Sequence, residues 1–133
     1  MDTFEVRSQA ESQMIEITDQ VARLVAGAKV AAGVVHVYTP HTTAAVTINE
    51  NADPSVVHDL LADLDRLVPR RQSYYRHAEG NSASHLKSSL VGCCQTVLIE
   101  GGRLVLGTWQ GIYFCEFDGP RTRRVHVRLE GVK

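Results

Sequence analysis

The feature that most constrains the fold is a strand-like run at residues 107–119, GTWQGIYFCEFDG. Side chains alternate between the two faces of a strand, and in this run both faces are largely apolar. Such a strand has to be covered on both sides, by other elements or by another subunit. Glu116 places a carboxylate in this apolar run. Because an unpaired buried carboxylate is costly, we predict that Glu116 faces an arginine, a histidine, a metal or a ligand.

Two interpretations of Glu116 are open on the sequence alone. It either forms a structural ion pair with a neighbouring strand, for which residues 124–128, RVHVR, lie close in sequence, or it belongs to a polar site. Gln110 lies on the same face of the run, and the second interpretation requires further polar residues to converge there. Candidates for such residues are present in other segments of the chain.

Length and composition limit the classes of protein to consider. A chain of 133 residues is long enough for one domain with its own core. Its 14 basic and 15 acidic residues give a net charge of −1, so no global field attracts nucleic acid or an anionic membrane. We expect a cytoplasmic protein, because the sequence shows no secretory signal and no membrane-spanning run. Cys93, Cys94 and Cys115 match neither a disulfide framework nor a zinc motif, and are expected to be reduced, packed and inert.

Hydrophobic periodicity predicts an α+β fold in which residues 1–133 form a single compact domain. We expect a mixed, mostly antiparallel sheet, two longer helices and one short helix. Residues 4–9 and 12–17 are predicted to form an opening hairpin, and residues 69–84 a long loop. The other predicted elements are a helix begun by Thr18 and ended by Gly33, a helix after Asp53, a helix from Asn81 or Ser82 to Leu90, and strands at 34–38, 41–49, 96–100, 104–106 and 122–129.

Three histidines are candidates for a metal site. His41 lies on the polar face of the strand predicted at 41–49, and His77 and His85 flank a glycine-containing turn that leads into the short helix. Imidazole is the commonest metal ligand and a general acid or base near neutral pH. Three such ligands would leave an open position for water or substrate, as in catalytic zinc sites. The alternative is that these histidines simply face solvent.

The start of the short helix is a candidate anion site. Free backbone N–H groups and the positive end of the helix dipole meet there, and Ser84, Lys87 and Ser88 lie nearby in sequence. A phosphate or a carboxylate would fit such a site. Ordinary capping of the helix by Asn81 or Ser82 explains the same residues without a ligand.

Four runs together closely resemble the YjbQ-like family, whose members are small proteins labelled secondary thiamine-phosphate synthases. The runs are residues 41–53, HTTAAVTINENAD; 74–77, YYRH; 80–85, GNSASH; and 107–119. The resemblance extends in order over nearly the whole chain. It implies a compact α+β protein that assembles as a homotrimer. It also implies an enzyme that joins a pyrimidine pyrophosphate to a thiazole phosphate and releases pyrophosphate.

The resemblance implies a polar cluster, which corresponds here to His41, Asn49, Glu50, Asp53, His77, His85, Gln110 and Glu116. Our hypothesis is that this cluster acts on a small phosphorylated metabolite, that the histidines and a carboxylate hold a metal, and that Glu116 orients a histidine. The expected residues are Asn49, Glu50, Asp53, Gln110 and Glu116 for catalysis, His41, His77 and His85 for a divalent metal, and Ser84, Lys87 and Ser88 for the phosphate. Imidazole ligands favour zinc or a similar metal, whereas diphosphate chemistry favours magnesium, so the metal is left open. Asp53 is also explained as a helix N-cap.

The chain departs from the family pattern in two places. Only Ala78 and Glu79 separate His77 from Gly80, where extra acidic residues are common in the family, and Cys93 with Cys94 replaces a stretch that commonly carries Pro or Ser.

Two other classes of function are open. One is a metal-dependent hydrolase of a small phosphorylated or cyclic metabolite. The other is a non-catalytic trimeric module that binds a metal or an anion.

Overall fold

Eight strands and three helices make up the computed structural model, which describes residues 1–133. No helix combines the length and the apolar character that crossing a bilayer requires. The elements in chain order are β1 (Asp2–Arg7), β2 (Gln13–Glu16), α1 (Thr18–Ala28), β3 (Ala32–Tyr38), β4 (Ala44–Glu50), α2 (Pro54–Leu67), α3 (Ser82–Val91), β5 (Cys94–Glu100), β6 (Arg103–Leu104), β7 (Gln110–Glu116) and β8 (Thr122–Val132).

The strands form two antiparallel sheets. The larger sheet has the order β1-β8-β3-β5-β6, and the smaller sheet has the order β2-β7-β4. Every pair of neighbouring strands is antiparallel. The helices comprise the longer α1 and α2 and the shorter α3. The predicted single α+β domain is confirmed, with its strands divided between two sheets.

The predicted opening hairpin is wrong. β1 pairs with β8, where Asp2 lies opposite Val127, and β2 pairs with β7, where Gln13 lies opposite Glu116. Residues 8–12 therefore carry the chain from the larger sheet to the smaller one. Alternating hydrophobicity identifies a strand but not its partner, which is why the sequence pattern suggested the wrong pairing.

The first helix ends earlier than the sequence pattern suggests. α1 stops at Ala28, and Lys29 adopts the left-handed conformation with a φ of 56°. Gly33, expected to end this helix, lies instead in β3 opposite Gly131. A Cβ atom at Gly33 would stand 2.0 Å from the carbonyl oxygen of Glu130, so glycine permits the close approach of β3 and β8.

β7 is buried on both faces, as predicted, and other elements of the same chain cover it. Ile112 and Phe114 belong to the main core, together with valines of α1, β3 and β8. Cys115 belongs to a second cluster, against which Leu61 and Leu64 of α2 pack. The burial of this strand therefore requires no second subunit.

Candidate functional site

All three candidate histidines line one cavity of about 480 Å³, which we call the histidine pocket. His41 comes from the connection between β3 and β4, His77 from the loop before α3, and His85 from α3. Apart from one proline, every lining residue is polar or charged, which suits a polar or anionic ligand. The other lining residues are Pro40, Thr42, Thr43, Glu79, Asn81, Asp118, Arg121 and Arg123.

His77 and His85 form a close pair in this pocket. Their ring centroids are 5.3 Å apart, and their planes meet at 70°. A turn at Gly80, which has a φ of 71° and donates to the carbonyl of His77 at 3.0 Å, folds the loop back onto α3. Two imidazoles on one tetrahedral metal have ring centroids about 5 Å apart, so this pair fits two metal ligands. No group of three or more His, Cys, Asp or Glu side chains is arranged as a metal site.

His41 is held at the end of the larger sheet. β4 begins after this residue, and β3 stops at Tyr38, so Arg124 of β8 has no strand partner on that side. Two side chains replace the missing strand: Thr39 Oγ1 donates to the Arg124 carbonyl at 3.2 Å, and His41 Nε2 accepts from the Arg124 N–H at 2.9 Å. Burial lowers the pKa of His41, and the charges of Arg123 and Arg124 lower it further. The ring is therefore neutral at neutral pH.

Glu116 forms a buried ion pair with Arg123. Both side chains are almost completely buried, and Arg123 Nε donates to Glu116 Oε1 at 2.9 Å. Ser8 Oγ donates to the same carboxylate at 2.7 Å, and the Asp118 N–H donates to it at 3.0 Å. The prediction that Glu116 faces an arginine is confirmed. Its partners include no histidine, so the carboxylate acts on the pocket only through the residues that surround it.

The two carboxylates at this site titrate below their usual range. Burial raises the pKa of Glu116, but hydrogen bonds from Arg123 and Ser8 outweigh burial and leave the pKa below its usual value of 4.5. Burial likewise raises the pKa of Asp118, and hydrogen bonds from Asn81 and Arg70 bring it below its usual value of 3.8. Both groups therefore bind protons more weakly in the folded state than in the unfolded state.

Acid is expected to destabilise the fold through these carboxylates. Their contribution to stability is complete above the unfolded-state pKa values and is lost as the pH falls through the folded-state values. We expect the free energy of unfolding, measured by urea titration, to decrease between about pH 5 and about pH 3. Glu116→Gln should reduce this dependence, because the amide does not titrate, whereas Asp63→Asn at an exposed position should retain it. Equal pH dependence in wild type and Glu116→Gln would contradict the assignment.

Four predicted catalytic residues lie at the opposite end of the smaller sheet. Glu50 stands opposite Gln110 in the β4–β7 pair, whereas Ala44 stands opposite Glu116. Six residues of strand span about 20 Å, so these residues are separated from the histidine pocket. Asp53 Oδ1 accepts a backbone hydrogen bond at 2.9 Å and caps α2. The four residues are Asn49, Glu50, Asp53 and Gln110.

The predicted anion-binding residues are engaged with the protein itself. Ser84 and Ser88 each donate a hydrogen bond of 2.6 Å to a backbone carbonyl. Lys87 is buried and forms an ion pair with Asp65 of α2. These contacts fasten α3 to the smaller sheet and to α2. Ser88 also lines a second cavity, which shares two histidines with the histidine pocket.

Sequence reasoning missed a polar network at the histidine pocket. Asp118 accepts hydrogen bonds from Asn81 Nδ2 at 2.8 Å, from Arg121 at 3.2 Å and from Arg70 at 3.4 Å. Asn81 is 5% exposed, and its Oδ1 atom has no hydrogen-bond partner. The alternation along residues 107–119 places Asp118 on the same face as Glu116, and this signal would have pointed to it.

The cysteines only partly match expectation. Cys115 is buried, and burial raises its pKa to about 12, which makes it inert. Cys93 and Cys94 are exposed, so the expectation that they are packed is wrong. They lie where α3 ends and β5 begins, and such connections run over the surface. Cys93 lines the second cavity.

Comparison with known proteins reveals relatives over almost the whole chain. The family profile described as UPF0047 protein YjbQ-like matches residues 2–132. The UPF0047 protein YugU of Bacillus subtilis is 48% identical over 131 residues, which cover 98% of this chain and 99% of that protein. A UPF0047 protein of Methanocaldococcus jannaschii is 47% identical over 130 residues, which cover 98% of this chain and 94% of that protein.

Solved structures show the same fold. A crystal structure of an uncharacterized protein of the YjbQ/UPF0047 family from Clostridium acetobutylicum matches with a TM-score of 0.96 at 48% identity, covering 98% of this chain and 100% of that one. A YbjQ-like protein of unknown function from Sulfolobus solfataricus matches with a TM-score of 0.94 at 29% identity, covering 98% of this chain and 95% of that one. The fold is thus the same in a relative whose sequence is only 29% identical to this chain.

Proposed function

This chain belongs to the YjbQ-like family of UPF0047 proteins, and from that premise we propose that it is an enzyme that acts on a small phosphorylated metabolite at the histidine pocket. The proposed reaction is thiamine-phosphate synthesis, which joins a pyrimidine pyrophosphate to a thiazole phosphate. The observation that carries the proposal is the presence of three imidazoles, from three separate segments, on one polar cavity. Histidines that merely face solvent have no reason to share a cavity.

The charge in the pocket supports a phosphorylated substrate. Arg121 and Arg123 both line it, but Arg123 is already bound to Glu116. Arg121 is half-exposed and pairs with Asp118 at 3.2 Å. Because half of its side chain is exposed, the Arg121 guanidinium can exchange the Asp118 carboxylate for a phosphate, with which it forms charge-assisted hydrogen bonds. Arg121 is therefore the cation that we assign to the substrate.

The proposed reaction breaks the bond between carbon and the pyrophosphate oxygen, and negative charge builds on that oxygen. N–H donors aimed at the oxygen stabilise the transition state. Unlike His41, whose Nε2 is engaged by the backbone, His77 and His85 have ring nitrogens with no hydrogen bond inside the chain. We assign the leaving oxygen to the side of the pocket where these two imidazoles lie. Without a metal they would donate hydrogen bonds to it or act as general acids, and a metal held by them would take over that role.

A divalent metal is part of the proposal. The spacing of His77 and His85 fits two ligands of one metal, and imidazole nitrogens suit zinc better than magnesium. A bound divalent metal would neutralise charge on the phosphate oxygens. The two histidines would hold it, and Arg121 would remain free for a phosphate oxygen.

The direct test is product formation from the two thiamine precursors by the purified protein. We expect His85→Ala to lower the rate by about 10²- to 10⁴-fold, the usual contribution of a general acid or base. His58→Ala is the matched control, because His58 is exposed on α2 and lies outside the pocket. Absence of product with wild-type protein, or equal rates in the two variants, would refute the proposal.

A metal-dependent hydrolase of a small phosphorylated or cyclic metabolite is the second candidate. The spacing of the His77 and His85 rings is the observation that favours it. Metal analysis of protein purified without chelators tests the metal. We expect stoichiometric metal in wild type and in His58→Ala, and its loss in His77→Ala and His85→Ala. Ligand binding without any turnover would instead favour a non-catalytic module.

We further propose, from the family resemblance and the ordinary charge balance, a homotrimer in the cytoplasm without nucleic acid or membrane partners. Light scattering coupled to gel filtration measures the assembly. The expected mass is three times that of the 14.7 kDa chain. A monomeric mass at micromolar concentration would remove the trimer from the proposal and leave the histidine pocket, which one chain forms by itself.

A further inference from the structure

We infer that His41 is a neutral hydrogen-bond donor that presents Nδ1–H to a phosphate oxygen of the ligand, and that it is not a metal ligand. The inference rests on the proposed function in one respect, since it takes the histidine pocket to bind a phosphorylated molecule. It assigns to His41 a role different from that of a metal ligand, which the sequence predicted.

The hydrogen bond to Arg124 determines which nitrogen of His41 carries the proton. The backbone N–H of Arg124 lies 2.9 Å from His41 Nε2, and a backbone N–H can only donate. Nε2 must therefore present its lone pair. A neutral imidazole has a single proton, which then resides on Nδ1. Nδ1 makes no hydrogen bond within the chain, so it is the nitrogen available to a ligand.

The fold holds this ring in place. Arg124 lies in β8 beyond the last residue that pairs with β3, and its two backbone groups are satisfied by side chains of the β3–β4 connection. Turning the ring by half a rotation would place Cε1, a carbon that cannot accept a hydrogen bond, where Nε2 now accepts from the Arg124 N–H. That turn would break the hydrogen bond that the Arg124 N–H donates to the ring. The donor on Nδ1 is therefore oriented before any ligand binds.

The surroundings of His41 favour a neutral ring and an anionic ligand. Burial disfavours a charge on the imidazole, and Arg121, Arg123 and Arg124 oppose a further positive charge, while Glu116 alone favours it. A proton added at Nε2 would also point at the N–H of Arg124. A neutral donor among arginines attracts an anionic oxygen without itself having to lose a proton.

The same geometry excludes His41 as a metal ligand. Coordination through Nε2 requires the lone pair that Arg124 already uses. Coordination through Nδ1 moves the proton to Nε2, where it would meet the N–H of Arg124 head-on. Neither restriction applies to His77 and His85, whose ring nitrogens make no hydrogen bond within the chain. A metal in this pocket is thus expected on that pair without His41.

Nitrogen NMR of the histidine side chains tests the tautomer directly in the wild-type protein. At about pH 7 we expect the His41 spectrum to show a protonated Nδ1 and an unprotonated Nε2. The opposite tautomer, or a doubly protonated ring, would overturn the inference. This measurement needs no variant and no substrate, and so it is independent of whether the protein makes thiamine phosphate.

Two isosteric variants test the role of the donor with inorganic pyrophosphate as the probe. The amide nitrogen of asparagine occupies the place of Nδ1, whereas that of glutamine reaches the place of Nε2. We expect His41→Asn to bind pyrophosphate within about threefold of wild type by calorimetry, because it retains the donor. His41→Gln should bind about 10- to 100-fold more weakly, as for loss of a hydrogen bond to a charged group. Equal affinities, the reverse order, or no binding to wild type would each refute the inference.

Zinc binding tests whether His41 is a metal ligand. It also distinguishes a failure of the inference about His41 from a failure of the proposed reaction. Both His41 variants should retain the zinc affinity of wild type, whereas His85→Ala should lose it. Loss of zinc in His41→Asn to the same degree as in His85→Ala would show that His41 is a ligand. Absence of thiamine-phosphate formation, with the pyrophosphate and tautomer results as expected, would remove the reaction and leave the role of His41 intact.

Discussion

Arg123→Met is expected to lower the free energy of unfolding by about 3–5 kcal/mol, because it leaves the Glu116 carboxylate buried without its countercharge. Glu116 is 0% exposed and Arg123 is 2% exposed. Ser8 and the Asp118 N–H still donate to the carboxylate in the variant, but neither carries a charge. Equilibrium unfolding in urea at neutral pH, followed by circular dichroism, measures the change.

Two further variants make this prediction specific. Arg66→Met removes an exposed arginine paired with Asp63 on α2, and should cost less than about 1 kcal/mol. Adding Glu116→Gln to Arg123→Met should restore part of the lost stability, because the neutral amide is cheaper to bury than the unpaired carboxylate. A similar loss in Arg66→Met and Arg123→Met, or a further loss in the double variant, would show that the buried charge is not the cause.

Phe114→Ala is expected to destabilise the protein by about 3–5 kcal/mol, because it opens a cavity in the main core. Phe114 is completely buried in β7 and packs in the cluster that joins both sheets to α1. Trp109→Ala is the control from the same apolar run. Trp109 is 62% exposed, and its replacement should change stability by less than about 0.5 kcal/mol.

The comparison of these two aromatic residues also bears on assembly. If Trp109→Ala destabilises the protein as much as Phe114→Ala at high protein concentration, another chain covers the tryptophan. The loss should then vary with concentration, because dissociation would contribute to unfolding. Losses that are equal at every concentration would contradict the exposure of Trp109 within the single chain.

Residues 107–119 show how far sequence reasoning reaches for the fold. Alternation and apolar content predicted a strand buried on both sides, and this depends only on the side chains of that strand. The strand partners of β1 and β2 were not predictable in the same way, because pairing depends on residues about a hundred or more positions away. The place of Gly33 in β3 was not predicted for a similar reason, because glycine is needed there only where the backbone of β8 passes beside it.

The site was predictable in part for a related reason. His41, His77 and His85 were identified from their residue type and nearby turns, and they line one cavity. Gln110 was grouped with Glu116 because both belong to one strand face, but a face extends along the whole strand and places them at opposite ends. The tautomer of His41 was beyond sequence reasoning, because it depends on a backbone N–H of a different strand.

The order of strands has a consequence for how fast this chain folds. In each sheet a late strand lies between earlier ones: β8 separates β1 from β3, and β7 separates β2 from β4. During synthesis the earlier strands therefore wait with unpaired edges until residues 110–132 have left the ribosome. Sheets that depend on such distant contacts fold in milliseconds to seconds rather than microseconds. The unpaired strand edges are where a newly made chain is most exposed to aggregation. The helices need only local contacts and are therefore expected to form first.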